Sequence, residues 1–272
     1  MKKYSEKSHT FVVCAYKESE FLEACISSLL KQTVKTKILI ATSTPNQRID
    51  ALAKKYNLPV KVNSGEGGIA NDWNFACTCA DTPLVTLAHQ DDVYLETYTE
   101  HILEALNQCE HPLIAFTDYY ELRKEGIVKQ NLLLRIKRLL LFPLKCKRFW
   151  KNKWIRRRIL SLGSAICCPS VTLVKEHLRF PLFENNMKSN IDWQAWEMLS
   201  RKDGEFAYVA APSMLHRIHE TSTTSELLSV NGRREEDLVM YRKFWPSWMA
   251  NLIELFYQKS ENSNRSEKKE TM

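Results

Sequence analysis

Acidic side chains are missing from one long stretch of this chain. Lys129–Arg158 holds twelve Lys and Arg and no Asp or Glu. The 272 residues together carry 39 Lys+Arg against 32 Asp+Glu, a formal charge of +7, so the other 242 residues hold 27 bases against 32 acids. A mildly acidic body with one basic segment excludes a uniformly basic nucleic-acid coat. No RNA- or DNA-binding motif is present, and nucleic acid is not an expected partner. Long apolar runs are missing as well. The most apolar stretch, Leu132–Leu144, is broken by Arg135, Lys137 and Arg138, well short of the about 20 apolar residues that span a bilayer. Phe11–Tyr16 is too short for a signal-peptide core and meets Lys17 and Glu18, so a cytoplasmic protein is expected. The eight cysteines show no paired metal spacing: Cys77-x-Cys79 and Cys167-Cys168 lack a second half. Reduced, buried thiols are the expectation. Glycine is scarce, yet three of the seven fall in Gly65–Gly68. What remains, 44% hydrophobic and 26% charged, is ordinary globular composition and excludes wholesale disorder.

The first 120 residues alternate between β-rich and helical patterns. Thr10–Tyr16, Lys37–Ala41, Val60–Val62, Leu84–Ala88 and Leu113–Asp118 read as strands. Ser19–Lys31, Asn46–Tyr56, Gly68–Cys79 and Tyr98–Cys109 read as helices between them. This order predicts an α/β fold with an open, doubly wound sheet, which binds ligands at the carboxyl ends of its strands. Further on, Glu121–Lys129 reads as a hairpin about Gly126 and Val171–Val174 as a strand. Ile191–Arg201 reads as a helix and Glu205–Arg217 as two short strands about Pro212. Arg233–Phe244 and Trp248–Tyr257 are terminal helices, and 259–272 a disordered, polar tail.

Four segments could carry chemistry. His89-Gln90-Asp91-Asp92 follows a strand; adjacent carboxylates there suit Mg²⁺ or Mn²⁺, or a helix cap. Gly65-Glu66-Gly67-Gly68 precedes the helix with Asn74 and could let backbone N–H groups approach an anion or sugar, or simply turn the chain. Asp192, in Asn190-Ile191-Asp192-Trp193, is either a helix N-cap or a general base with aromatic neighbours. In His216-Arg217-Ile218-His219, strand alternation sets Arg217 and His219 on one face and His216 and Ile218 on the other. Arg217 and His219 could then point together at a metal–phosphate site, or be surface groups.

In this order, the segments resemble an inverting family 2 glycosyltransferase of the GT-A fold. The resemblance runs through FVVCAYKESEFLEACISSLLKQT (11–33), GGIANDWNFA (67–76), TLAHQDDVY (86–94), NIDWQAWEML (190–199) and HRIHETSTTS (216–225). It implies a Rossmann-like open mixed sheet with flanking helices and C-terminal helices. A nucleotide-diphosphate sugar is the implied donor and a glycan or lipid-linked hydroxyl the implied acceptor. Asp91, Asp92 and His219 are the implied metal ligands, for Mn²⁺ or Mg²⁺. Asp192 is the implied base. Tyr16, Glu18, Thr42, Gly68, Asn74, His89, Asp91 and Arg217 are the implied donor contacts. The implied organisation is one domain over 1–258: a nucleotide-sugar half (10–120), a basic amphipathic insertion (129–158), an acceptor half (160–225) and C-terminal helices (226–258).

The sequence also departs from the family pattern. Ala41-Thr42-Ser43-Thr44-Pro45 replaces an acidic run after the second strand. Trp73-Asn74 replaces an Arg-Asn pair, His89 replaces the first Asp of the DxD motif, and Ile191 replaces a Glu. A non-catalytic GT-A-like module that binds a sugar nucleotide or glycan is therefore the rival reading. In the insertion, Asn131, Arg135 and Arg138 form a stripe opposite leucines and Ile136, and Arg156–Arg158 lie near Trp150 and Trp154. This pattern suits a helix on an anionic inner-membrane surface, or one packed on the domain with a solvated basic rim.

Overall fold

The computed structural model describes residues 3–219 and 230–255. Nine strands form one mixed sheet: β1 (His9–Ala15), β2 (Lys37–Thr42), β3 (Val60–Val62), β4 (Leu84–His89), β5 (Val93–Tyr94), β6 (Pro112–Arg123), β7 (Gly126–Val128), β8 (Val171–Val174) and β9 (Glu205–Arg217). The helices are α1 (Leu22–Leu30), α2 (Gln47–Tyr56), α3 (Ile69–Cys79), α4 (Tyr98–Leu106), α5 (Leu132–Leu141), α6 (Lys153–Arg158), α7 (Ile191–Ser200), α8 (Val230–Arg242) and α9 over 247–255. Expected elements beyond these limits, including 220–225, 256–257 and the tail, lie outside the described residues.

The strand order is β3-β2-β1-β4-β8-β6-β9-β5, with β7 on β6. β1 to β4 pair in parallel. Phe11, Val12 and Val13 of β1 are fully buried, as a strand covered on both faces requires. The parallel run does not close through residues 113–118 as the alternation predicts. Instead β8 enters antiparallel between β4 and β6. A buried polar string explains its place: His9 Nε2 meets Thr86 Oγ1 at 2.8 Å, and Thr86 Oγ1 meets Thr172 Oγ1 at 2.6 Å. No sequence period reports such a cross-strand pairing.

Glu205–Arg217 is one strand of 13 residues, not two. Pro212, which has no N–H to give, is accommodated where the β6–β9 register slips around Asp118. The hairpin about Gly126 forms as β6–β7. Gly204 stands before β9 at φ 131°, where a Cβ would sit 2.7 Å from the Leu113 side chain, so this turn tolerates only glycine. Among the described residues no helix is long and apolar enough to cross a membrane. All eight cysteines are free thiols.

Candidate active site

The short strand β5 builds the site. Val93 and Tyr94 pair antiparallel with Leu215 and Met214 of β9, which folds the Gln90–Asp92 turn back against residues 216–219. Asp92 is fully buried. Its Oδ1 lies 3.0 Å from His216 Nδ1 and accepts the Arg217 backbone N–H at 2.8 Å. Asp91 Oδ2 lies 3.0 Å from His219 Nε2, and Arg217 Nε donates to the Asp91 carbonyl at 2.7 Å. Arg217 and His219 thus converge on Asp91, as alternation predicts. His216 reaches Asp92 and joins the same cluster, which alternation does not predict, because the strand ends at Arg217 and its last residues turn around the loop.

Charge balance follows from these contacts. Burial pushes the Asp91 carboxyl up, but His89, the His219 hydrogen bond and His216 outweigh it and hold Asp91 below its ordinary range. Burial alone would lower His216, yet Asp92 and Asp91 raise it above its ordinary value. His89 is lowered, with burial outweighing the two carboxylates. Ligand atoms of His89, Asp91 and Asp92 lie within 4.8 Å of one another. Asp92 Oδ2 and His89 Nε2 are buried without a hydrogen-bond partner among the described residues. Two unpartnered buried polar atoms in a His–Asp–Asp cluster this close fit a divalent cation. His219 differs from the implied set in that it is paired with Asp91.

Asp192 is not the cap of α7. The N-cap is Asn190, without a side-chain cap bond, and Asp192 Oδ1 accepts the next amide, Trp193 N–H, at 2.7 Å. Burial pushes its carboxyl up from the ordinary aspartate range to about 6, opposed by the Trp193 amide, Lys137 and His216. His216 thus interacts electrostatically with the paired carboxylates and with Asp192. The loop before Asp192 is held from α8: Glu236 accepts the backbone N–H groups of Lys188, Ser189 and Asn190 and the Ser189 hydroxyl at 2.6–3.1 Å. Asn190 Nδ2 donates to Asp237 Oδ1 at 2.7 Å.

The other implied donor contacts spread around the strand ends. Tyr16 is exposed, and its backbone N–H and C=O are both taken by the Gln90 amide at 3.0 and 2.9 Å. Glu18 is exposed on the same loop. Thr42 is buried, its hydroxyl receiving the Thr44 N–H. Gly68 is the N-cap of α3 at φ 118° with open space where a Cβ would be. Asn74 clamps 182–183 by three hydrogen bonds. Gln90, His216, Lys137 and Asp72 were not legible as site residues. Asp72 accepts from Ser43 Oγ and Asn63 Nδ2, both at 2.8 Å, so a carboxylate from α3 stands beside β2, where the family's acidic run is missing.

Two departures from the family pattern touch each other. Trp73 stacks on His89, ring centroids 5.1 Å apart at 23°. An uncharged ring pair thus occupies the two positions where the family pattern carries Arg and Asp.

The fold and this arrangement at its strand ends define a GT-A glycosyltransferase. The relationship is also visible in sequence: residues 10–163 match the profile described as glycosyl transferase family 2, and the chain belongs to that family. No curated protein sequence matches it. Among solved structures, the chain is similar to S. aureus TarS 1-349, with TM-score 0.60, 13% identity, and coverage of 90% of this chain and 69% of that one. The complex of TarS 1-349 with UDP-GlcNAc gives TM-score 0.61 and 14% identity over 90% and 70%, and its complex with UDP gives 0.57 and 13% over 90% and 69%. Identities this low carry the fold alone.

Proposed function

We propose that the chain transfers a sugar, with inversion, from a uridine-diphosphate sugar to a hydroxyl of a glycan or lipid-linked acceptor, and that residues 1–258 act as one catalytic unit. The observation that carries this reading is the Asp91–Asp92 turn held against His216, Arg217 and His219, with Asp192 within electrostatic reach of His216. The UDP-GlcNAc and UDP complexes of TarS support the donor class.

Asp192 takes the proton from the acceptor hydroxyl as its oxygen attacks the anomeric carbon. The bond from that carbon to the diphosphate oxygen breaks, and its electron pair leaves with the nucleoside diphosphate. A raised pKa makes Asp192 a better proton acceptor while leaving it ionised near neutral pH. Arg217, held over the Phe21 ring at 4.3 Å, places positive charge where the departing diphosphate develops negative charge, with His219 beside it on Asp91. Mn²⁺ or Mg²⁺ held by His89, Asp91 and Asp92 would supply further neutralisation of that charge. Tyr16 and Glu18, with Asp72, Ser43 and Asn63 behind them, face the nucleoside side. Gly68 opens α3 without a side chain, which leaves its backbone open to an anion.

The test is nucleoside-diphosphate release from a panel of UDP-sugars, with Mn²⁺, Mg²⁺ or chelator and a membrane-extract acceptor. Metal-dependent release lost in Asp91→Ala and Asp192→Asn is the expected result. Wild-type turnover in Asp192→Asn refutes the base assignment, and undiminished turnover in chelator refutes the metal.

A further inference from the structure

The basic segment divides its charges by direction. Three of its cations, Arg138, Arg156 and Arg157, turn inward. Arg138 Nε meets the buried Asp118 at 2.7 Å. Arg156 is fully buried against Phe206, with Nη2 on the Lys202 carbonyl. Arg157 meets the buried Glu197 at 2.6 Å. The Arg156–Arg158 cluster that the sequence offers as a lipid contact is therefore largely structural: Arg158 itself lies over the Trp154 and Trp245 rings.

What points outward is apolar. Leu132 (63% exposed), Ile136 (44%) and Leu139 (73%) follow one another at i, i+4 and i+7 on α5, with Leu133 (44%) beside them and Phe142 (63%) at its end. Leu134 and Leu141 on the opposite side suffice to seat the helix on the domain. A solvated basic rim would show cations here and hide the leucines; the helix does the reverse. Beside the stripe, Arg135, Lys145, Lys147, Arg148 and Lys151 are exposed and carry no ion pair among the described residues. Lys145 Nζ lies 5.6 Å from the Phe142 ring centroid.

We infer that 132–151 is a docking face for an anionic lipid bilayer, with Leu132, Ile136, Leu139 and Phe142 entering the interface and the neighbouring cations meeting headgroup phosphates. Charge complementarity selects this occupant. A stripe of aliphatic residues bordered by unpaired cations, with no acid over thirty residues, matches an apolar layer under a negative surface. A second copy would bring its own cations against these, and like charges would face each other across the interface. The inference is independent of the donor and of the base.

The experiment is co-sedimentation of the full chain with phosphatidylcholine vesicles containing roughly 30% phosphatidylglycerol, and with phosphatidylcholine alone. Binding to the anionic vesicles only, weakened by high salt, is expected. Each cation near such a surface is worth roughly fivefold in partition, so Lys145→Gln/Lys147→Gln/Arg148→Gln lowers binding by at least about tenfold. Leu139→Asp/Phe142→Asp does the same by removing the inserted groups. Leu139→Ser serves if that pair impairs folding, and an unchanged melting temperature certifies each variant. Equal binding to neutral vesicles, or binding untouched by both sets of substitutions, overturns the inference. A dimer in light scattering that Leu139→Asp dissociates, without vesicle binding by the wild type, also overturns it and assigns the face to self-association. Because the readout is sedimentation, failure of the glycosyl-transfer reading leaves it intact.

Discussion

Arg157→Met separates a basic segment that is built into the fold from one that merely decorates it. Glu197 lies on α7 at 2% exposure. One of its oxygens accepts from Arg157 Nη1 and from Arg201 Nε, both at 2.6 Å, while Lys243 Nζ stands 3.9 Å from the other. Arg157 Nη2 also donates to the Lys243 carbonyl at 2.9 Å. Removing one partner of a buried pair costs about 3–5 kcal/mol. Arg201 remains, though its side chain is 55% exposed, and brings the cost to the low end of that range. Loss of the carbonyl hydrogen bond adds about 1 kcal/mol. A net loss of about 4 kcal/mol lowers the melting temperature by roughly 8–16 °C at about 2–4 °C per kcal/mol. Thermal and urea unfolding followed by circular dichroism at pH 7 measure it. Arg157→Met/Glu197→Met, which removes both charges from a largely apolar setting, recovers at least about half of the loss. A loss below about 0.5 kcal/mol, the range of ordinary surface substitutions, would refute the reasoning.

The pH profile of turnover tests Asp192: with its pKa near 6, activity is present above that value and falls as pH drops through it. Lys137 lowers that pKa, so Lys137→Met moves the acid limb upward, and an unmoved limb means that another group is the base. Glu236→Ala, which frees three backbone N–H groups and a hydroxyl before α7, lowers kcat by at least about tenfold with donor KM little changed. Hydrogen exchange at residues 188–190 rises in the same variant, and a change confined to donor KM would refute the positioning role. Asp72→Asn keeps the contacts to Ser43 and Asn63 in part and weakens donor binding in calorimetry more than it lowers kcat; unchanged affinity removes Asp72 from the nucleoside side.

The nucleotide-binding half was largely legible because its signals are local. Apolar runs of β1, β2 and β4 separated by periodic helices carry the parallel order, and Asn46 caps α2 by accepting the Ile49 N–H at 3.0 Å, as an Asn before a helix should. The second half depends on long-range partners and was read less well. β8 takes its place through Thr172 and Thr86, 86 residues apart. β9 runs on through Pro212 because β9 itself bulges there, Val209 and Pro212 pairing with the adjacent Thr117 and Asp118 of β6, a slip that no period along either strand reports. His216 falls on the wrong face for the same reason: it meets Asp92 across 124 residues, and alternation along one strand cannot register a turn that closes from another. At Asp192 the local sequence leaves a helix cap and a general base both open; in the structure Asn190 takes the cap position and leaves the carboxylate to be raised by burial.

Departures from a family pattern are better judged in contact than one at a time. Singly, His89 removes a carboxylate from the DxD position and Trp73 removes a guanidinium. In contact, each makes the other tolerable. An Asp at 89 would add a third negative charge beside Asp91 and Asp92, which needs a cation close by, and Trp73 offers none. An Arg at 73 would need that carboxylate. With both charges gone, the aromatic stack fills the space without an unpaired ion, and a ring nitrogen of His89, whose pKa burial lowers, still lies within 4.8 Å of carboxylate oxygens of the two aspartates. The net charge of that pair of positions is unchanged. The exchange therefore preserves the electrostatic demand of the site for a cation while altering the shape and polarity next to it, which is where a change of donor, rather than a loss of chemistry, would be written.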